Sequence, residues 1–373
     1  MMDREKIHLL ALNSLPYMHP AILHALMARF GSAEEVFRAK KDDLAAVKEV
    51  SPAMADLIKS ANAEKLAEAE TTLAQKLGAE ILFLDGPGYP APLTKIHAPP
   101  HALYVMGEWK KEDEFSVAVV GTREPTAYGR HVAERISGDL AQAGLTVVSG
   151  FARGIDAAAH RGALEAGGRT VAVIGCGLNL NYPAGQADLK KKIAAHGAVI
   201  SQFGLAMEPS AVSFPIRNRV VAGLTLGTIV VEAPAESGAL ITAYAALDCG
   251  KEVFAVPGQA NSKKSEGANR LIQKGHARLV LDAADVVDGL PEPARGWIKG
   301  RQMSLGLEKT AAAAAGLEGE EAAAYKILED GQMHIDQIAA LMGLPSGKLS
   351  AILLSLEIKG LVKQASGKMF IRS

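Results

Sequence analysis

The middle of this chain is predicted to fold as an α/β protein with a doubly wound, mostly parallel sheet. Helices precede it and a small helix–hairpin unit follows. Three observations predict this. Short apolar, β-branched runs recur at regular spacing: VAVVG (117–121), LTVVSG (145–150), TVAVIG (170–175), AVIS (198–201), TIVVEA (228–233) and EVFAVPG (252–258). Continuous runs of this kind belong to strands covered on both faces. Helical stretches separate them, with Val132, Ile136 and Leu140 one turn apart in the first, and strand–helix alternation builds a parallel sheet. Finally, several runs end in glycine just before a helix start. In SGFARGIDAAAH (149–160) a strand passes through a short glycine loop into a helix.

At 373 residues the chain exceeds one ordinary core and implies two or three domains. Its 49% hydrophobic and 22% charged residues fit a soluble globular protein. The formal net charge is -1, so no overall basic field draws it to a polyanion, and any positive charge must be local. Two cysteines, Cys176 and Cys249, exclude a disulfide framework and a Cys-based zinc module, and suit a reducing cytosol. The N-terminus MMDREKIHLLALNS has no signal-peptide pattern, and no window reaches membrane-spanning length.

Residues 1–77 read as helices, with apolar residues at three- and four-residue spacing (Ile22, Leu26; Met54, Leu57, Ile58) and Gly31-Ser32 and Ser51-Pro52 as punctuation. Residues 78–112 are rich in Pro and Gly and read as two strand-like pieces leading into the sheet domain, which extends to 290. A linker is expected over 291–318, with a little helix at its alanine run. Periodicity returns in 319–373: three short helices, then two strands around a Ser-Gly turn, the pattern of a small winged helix.

Ligands of open α/β sheets bind beyond the carboxyl ends of the strands, where helix N-termini present free N–H groups. The residues in that position are Gly121, Thr122 and Arg123; Ser149, Gly150, Phe151, Arg153 and Gly154; Gly175, Gly177 and Tyr182; Gln202 and Phe203, then Phe214, Arg217, Asn218 and Arg219; and Glu232, Ser237, Gly238 and Thr242. Arginine forks and helix starts suit phosphates. Phe151, Tyr182, Phe203 and Phe214 are candidates for stacking on bases, against the plainer reading that they fill gaps in the core. The mixture favours an unpaired polynucleotide lying across the sheet edge. Lys263 and Lys264, in a loop after another strand, are further phosphate candidates, whereas Lys190–Lys192 reads as a solvated helix face.

Other chemistries find less support. Gly175-x-Gly177 is followed by Leu180 where a dinucleotide fingerprint needs its third glycine, and GLPSGKL (343–349) is too short for a P-loop. Asp156 and His160 sit four apart on one helix, where a structural hydrogen bond is far commoner than an acid–base or metal pair. Glu232 and Glu236 are conceivable as a hydrolytic acid pair, or as loop-orienting acceptors. No catalytic set, cofactor or metal site is read. The final 27 residues hold five basic residues against one acid, a mild bias that suits either DNA contact or protein docking.

Together these residues resemble the DprA/Smf family of DNA-processing proteins over nearly the whole chain. The motifs fall in family order: Gly121-Thr122-Arg123, Tyr128-Gly129, SGFARGIDAAAH, Tyr182-Pro183, Phe214-Pro215-x-Arg217-Asn218-Arg219, Glu232-Ala233, Ser237-Gly238-x-Leu240-Ile241-Thr242, Pro257-Gly258 and Gly267-x-Asn269. The resemblance implies an extended Rossmann-like core that binds single-stranded DNA, between an N-terminal helical SAM-like domain and a C-terminal winged helix. It also implies a cytoplasmic homodimer that protects incoming strands in natural transformation and loads RecA recombinase onto strands covered by single-strand-binding protein. Arg123, the SGFARG loop and the Arg217–Arg219 segment are then the phosphate contacts. The chain departs from the family pattern at Ser201-Gln202, where Ser-Glu is usual, removing one expected pocket carboxylate. It also lacks basic residues from Ala184 to Asp188, so the lysine contribution is expected either to move to Lys190–Lys192 or to be weaker.

The reading is therefore a non-enzymatic single-stranded DNA-binding protein. Its main rival is a Rossmann nucleotide N-glycosidase of the lysine-decarboxylase-like group. Those enzymes carry Pro-Gly-Gly-x-Gly-Thr where this chain reads PAESGALIT. A transcription regulator acting through residues 319–373 is the third.

Overall fold

The computed structural model describes residues 3–300, 317–328, 332–359, 361–365 and 367–372. The chain divides into two compact units, Met1–Arg295 and Gly296–Ser373. Most of the expected linker, residues 301–316 of 291–318, lies outside the described residues.

The first unit opens with six helices: α1 (Arg4–Ser14), α2 (Pro20–Phe30), α3 (Ala33–Arg38), α4 (Lys41–Ala45), α5 (Pro52–Ser60) and α6 (Ala63–Leu77). Side-chain caps set several starts: Asp3 accepts from the Lys6 amide at 2.8 Å, Ser51 from Met54 at 3.1 Å and Asn62 from Lys65 at 2.9 Å. Leu23, Leu26, Leu44 and Ile58 form a core within these helices. Leu10 of α1 and Ala67 and Ala74 of α6 instead join Tyr104, Phe151 and Ile193 in a cluster against the sheet.

The sheet has nine strands: β1 (Ala79–Phe83), β2 (Ala102–Gly107), β3 (Ser116–Val120), β4 (Thr146–Ser149), β5 (Thr170–Val173), β6 (Ala198–Ser201), β7 (Gly227–Val230), β8 (Glu252–Ala255) and β9 (Arg278–Leu279). Their order is β1-β2-β6-β5-β4-β3-β7-β8-β9. Neighbours from β6 to β9 pair in parallel, and the lead-in strands β1 and β2 add an antiparallel edge. Strands β3 to β7 are buried along their whole length, which explains their unbroken apolar text. Strand β9 is missing from the sequence reading for the opposite reason: it is two residues long and both are exposed.

Helices α7 (Ala127–Gln142), α8 (Ile155–Glu165), α9 (Ala187–His196), α10 (Ser213–Leu224), α11 (Gly238–Asp248), α12 (Glu266–Gln273) and α13 (Ala283–Gly289) follow in the unit, and residues 292–300, expected as linker, are helical as well. The chain order reverses about β3, which pairs with β4 on one side and β7 on the other. That switch point opens a crevice at the carboxyl ends of the strands.

The pair Asp156–His160 resolves into structural roles. The Thr170 hydroxyl donates to the Val147 carbonyl at 2.7 Å, so it accepts from His160 Nδ1–H, also at 2.7 Å. His160 Nε2 is buried without a partner. Burial pulls the imidazole down to about 3, with Arg161 and Arg217 adding to the effect. A histidine held neutral in the fold but charged when unfolded makes stability fall as pH drops from 6.5 towards the folded value, by about 1.4 kcal/mol per pH unit. Urea denaturation of His160→Gln is therefore expected to show a shallower loss between pH 6.5 and 4.5 than the parent. An unchanged pH slope contradicts this assignment.

In the second unit, α14 (Gly319–Ile327), α15 (Ile335–Met342) and α16 (Ser346–Ile358) enclose Ile338, Leu349, Leu353 and Leu356. Beside the expected hairpin of β11 (Val362–Ala365) and β12 (Met369–Arg372), a short β10 (Met333–His334) pairs with β12. The two lysines that flank α16's apolar turns are already paired: Lys348 with Glu320 at 2.6 Å and Lys359 with Glu321 at 2.5 Å. Among the described residues no single helix is long and apolar enough to cross a membrane.

Candidate nucleic-acid interface

Two clefts lie along the carboxyl edge of the sheet. The first, about 700 Å³, runs between the turns after β3 and β4 and the helices α10 and α11. The second, about 480 Å³, lies between the β4 turn and the loop after β5. Both are lined by Arg123, Gly150, Phe214 and Arg217, so they form one continuous groove. Arg123, Arg153 and Arg217, expected to converge, all line the second cleft.

Glycines allow the floor to be built. Gly154 has φ +83°, and a Cβ there would stand 2.3 Å from the Thr122 carbonyl oxygen, so only glycine lets the β4 turn lie against the β3 turn. At Gly150 a Cβ would stand 2.8 Å from both Arg217 Cζ and Asp156 Oδ2. These two buried charges therefore flank the same bare α-carbon. Asp156 accepts from the Ala152 amide at 3.2 Å. Arg217 Nη1 donates to the Val173 carbonyl at 2.6 Å and to the Gly150 carbonyl, and Nε donates to Asn218 Oδ1 at 3.0 Å. Burial lowers the guanidinium to about 10, against the pull of Asp156, and raises the Asp156 carboxyl, against the pull of Arg217. Arg217 is thus a fixed cation in the floor, holding the loops together, rather than a free phosphate fork.

Exposed groups make the groove wall. The Arg123 guanidinium lies 5.3 Å from the centre of the Phe214 ring. Phe214 in turn stacks on Tyr182, with centroids 5.8 Å apart and planes 27° from parallel. The result is a cation–ring–ring tier at the junction of the clefts. Arg153 is exposed beside it, with Nη2 donating to the Ala184 carbonyl at 3.3 Å. Ser237 caps α11, its hydroxyl accepting from the Ala239 amide at 3.3 Å, and Ser237 and Gly238 line the first cleft with Gly121. Asn218 ties α10 to that helix start through the Gly238 carbonyl at 3.2 Å.

Several expected contacts are placed elsewhere. Phe203 is 2% exposed and lies outside both clefts, while Phe151, also 2% exposed, reaches the wall of the second cleft but packs in the cluster against the sheet, so neither offers a face for stacking. Phe151 has φ +57°, which turns its ring beneath the loop while its carbonyl accepts from Gln186 Nε2. The Ser149 hydroxyl is buried and donates to the Val119 carbonyl at 2.6 Å, a strand-to-strand tie. Arg219, two residues from Arg217, lies on the other side of α10 and reaches the His97 carbonyl, outside both clefts.

The charged candidates divide in the same way. Lys190 is not a solvated face: it is buried, and its ammonium donates to the Leu178 and Leu180 carbonyls at 2.5 and 3.0 Å, while burial pulls its pKa down. It ties the loop that presents Tyr182. Its position between buried Leu189 and Ile193 was the signal for this role. Glu232 accepts from the Thr126 amide at 2.8 Å and hydroxyl at 3.0 Å and so orients the β3 turn, while Glu236 lines the first cleft. Gln202 is buried outside both clefts, so it takes no carboxylate from the groove. Lys264 donates to the Glu124 carbonyl at 2.5 Å, anchoring its loop to the Arg123 turn. Lys263 lines a separate cleft with Asn261 and Arg270.

The family model described as DNA recombination-mediator protein A matches residues 80–291, and the DprA winged helix domain matches 308–368. Protein Smf of Synechocystis is 33% identical, with all of both chains covered. DNA processing protein DprA of Bacillus subtilis is 38% identical over 58% of this chain and 72% of its own. Among solved structures, DprA of Streptococcus pneumoniae has a TM-score of 0.64 at 32% identity, covering 78% of this chain and 99% of its own. DNA processing protein A of Helicobacter pylori, a protein with a unique single-stranded DNA binding mode, has a TM-score of 0.51 at 28% identity, covering 61% and 96%.

Proposed function

The chain belongs to the DprA family of DNA recombination-mediator proteins, and from that premise we propose that it binds single-stranded DNA in the groove at the carboxyl edge of its sheet. The observation that carries this reading is the convergence of Arg123, Arg153 and Arg217 on one cleft whose junction holds the Phe214–Tyr182 stack. Arg123 and Arg153 take phosphates as exposed forks. Arg217 supplies fixed positive charge beneath them, and the two rings take bases with little regard to sequence. The protein acts in the cytoplasm as a homodimer. It protects incoming strands in natural transformation and passes them to RecA recombinase where single-strand-binding protein covers them. The family description as a recombination mediator and the single-stranded DNA binding of the Helicobacter pylori relative support these steps.

The groove serves binding rather than catalysis. The glycosidase reading pairs Glu232 with Glu236, and Glu232 is held by Thr126, which leaves Glu236 without its second acid. A mobility assay with single- and double-stranded oligonucleotides across salt tests the proposal. Tight binding to the single strand alone is expected, with log Kd rising by about 0.7 per log unit of salt for each phosphate neutralised. Equal or stronger duplex binding, or release of free base from a mononucleotide, overturns it.

Strand length provides a further prediction. Lys263 lies in a cleft of its own, so Lys263→Ala is expected to weaken long oligonucleotides while leaving short ones that fill only the main groove unchanged. Gel-shift titration over a length series reads this directly, and equal weakening at every length contradicts it.

A further inference from the structure

Glu70 is a carboxylate in an apolar setting. It lies on α6, 8% exposed, on the face whose Ala67 and Ala74 pack against the sheet with Leu10 and Tyr104. A buried carboxylate costs stability unless it is hydrogen-bonded, and an apolar residue would fill the place without that cost. Burial raises its carboxyl, while the Tyr104 hydroxyl and the Leu205 amide oppose the rise. Glu70 lines neither cleft, so its role lies in the group it holds and not in the strand.

That group is the loop after β6. Glu70 Oε2 accepts from the Leu205 amide at 3.1 Å, and Asn13, at the end of α1, donates to the Gln202 carbonyl at 3.2 Å. The approach is close: a Cβ on Gly204 would stand 3.1 Å from the Ser14 α-carbon. Leu205 passes the tie on. Its carbonyl accepts from the Asn179 amide at 3.1 Å, and the Met207 carbonyl accepts from the Gly177 amide at 2.8 Å. These bonds join the loop after β6 to the loop after β5, which carries Tyr182 three residues beyond Asn179. The far end of the β6 loop is fixed by the Ser213 hydroxyl, which donates to the Gly175 carbonyl at 2.6 Å, and Phe214 follows directly. Both rings of the stack therefore leave from one pair of joined loops, and α6 holds that pair at Leu205.

We propose that Glu70 is a positioning residue for strand binding: by holding Leu205 it sets Tyr182 against Phe214, so that the N-terminal helices tune base stacking without touching the strand. This rests on the two rings taking bases. The apolar cluster that Leu178 and Leu205 share with Leu10 is non-directional and leaves the loops free to slide. A charge-assisted bond to a single amide fixes their register, which is what a carboxylate adds at this place.

A double-mutant cycle on the full chain tests this, with oligo-dT as the probe. Glu70→Leu is expected to weaken binding about fivefold to tenfold, part of the worth of base stacking. The salt slope should stay unchanged, because no phosphate contact is lost. Glu70→Gln keeps an acceptor for the Leu205 amide and should bind within about twofold of the parent. In a Tyr182→Ala background Glu70→Leu should cost less than about twofold, since the stack it sets is already gone. Asn13→Ala releases the same loop at Gln202; it should show a smaller loss with the same coupling, and it decides the matter if Glu70→Leu does not fold. A loss that adds in full to that of Tyr182→Ala, a Glu70→Leu affinity equal to the parent's, or a Gln variant as weak as the Leu variant overturns the inference and leaves strand binding intact. Failure to bind oligo-dT, or a Tyr182→Ala variant that binds as the parent does, overturns the reading of the ring stack and this inference with it.

Discussion

Arg123→Ala is expected to weaken single-stranded DNA binding by about tenfold to a hundredfold, the worth of one charge-assisted phosphate contact. Every sequence should be affected alike, because a phosphate carries no base information. The salt dependence should flatten by about 0.7 in the log–log slope. Arg123 also rests on Phe214, so its loss frees one face of the tier and removes a cation–π contact of roughly 0.5–1 kcal/mol. The side chain is exposed, and the melting temperature should fall by no more than about 4 °C. Affinity measured by fluorescence anisotropy at four or five salt concentrations gives both quantities. A weakened Kd with an unchanged slope means that Arg123 acts on the fold of the groove and not on a phosphate.

Arg217→Met should behave in the opposite way, with stability falling first. The guanidinium holds the Gly150 and Val173 carbonyls and faces Asp156 across Gly150. Removing one partner of such a buried arrangement costs about 3–5 kcal/mol, because the acceptors and the carboxylate are left unpaired. For a unit of this size the melting temperature drops by roughly 10 °C. The loss depends on pH with a definite sign. Burial already raises the Asp156 carboxyl, and Arg217 opposes that rise. A carboxyl whose folded pKa lies above its unfolded value favours the fold below the unfolded pKa, and that contribution disappears as pH climbs through the folded value. Without Arg217 the folded pKa climbs further, so the variant's deficit against the parent is larger at pH 8 than at pH 5. Adding Asp156→Asn should recover part of the deficit at pH 8. Thermal unfolding at both pH values checks this, and a deficit independent of pH contradicts the proposed pairing of charges.

Much of the sheet is legible because burial on both faces forces unbroken β-branched runs, and six parallel strands show them. The carboxyl edge follows from the alternation of strands and helices, so Arg123, Arg153 and the Tyr182–Phe214 pair are found by position alone. Side-chain direction is not legible in the same way. Ser149 ends β4 pointing into the sheet, and Phe151, two residues on, adopts a left-handed backbone that no periodicity announces. Arg217 and Arg219 look equivalent in text, yet two residues along a helix place them on opposite sides. Lys190 shows a further limit: three consecutive lysines resemble a solvated face, but the helix phase turns the first towards loop carbonyls that need a donor.

The account stands on an unpaired strand lying across the tier formed by Arg123, Phe214 and Tyr182. Photo-crosslinking with an oligonucleotide carrying 5-iodo-deoxyuridine, followed by peptide mapping, tests it most directly. Adducts on the peptides containing Tyr182 and Phe214 are predicted, and they should be competed away by unlabelled single strand. Adducts confined to the N-terminal helices or to residues 319–373, with none at the carboxyl edge of the sheet, contradict it.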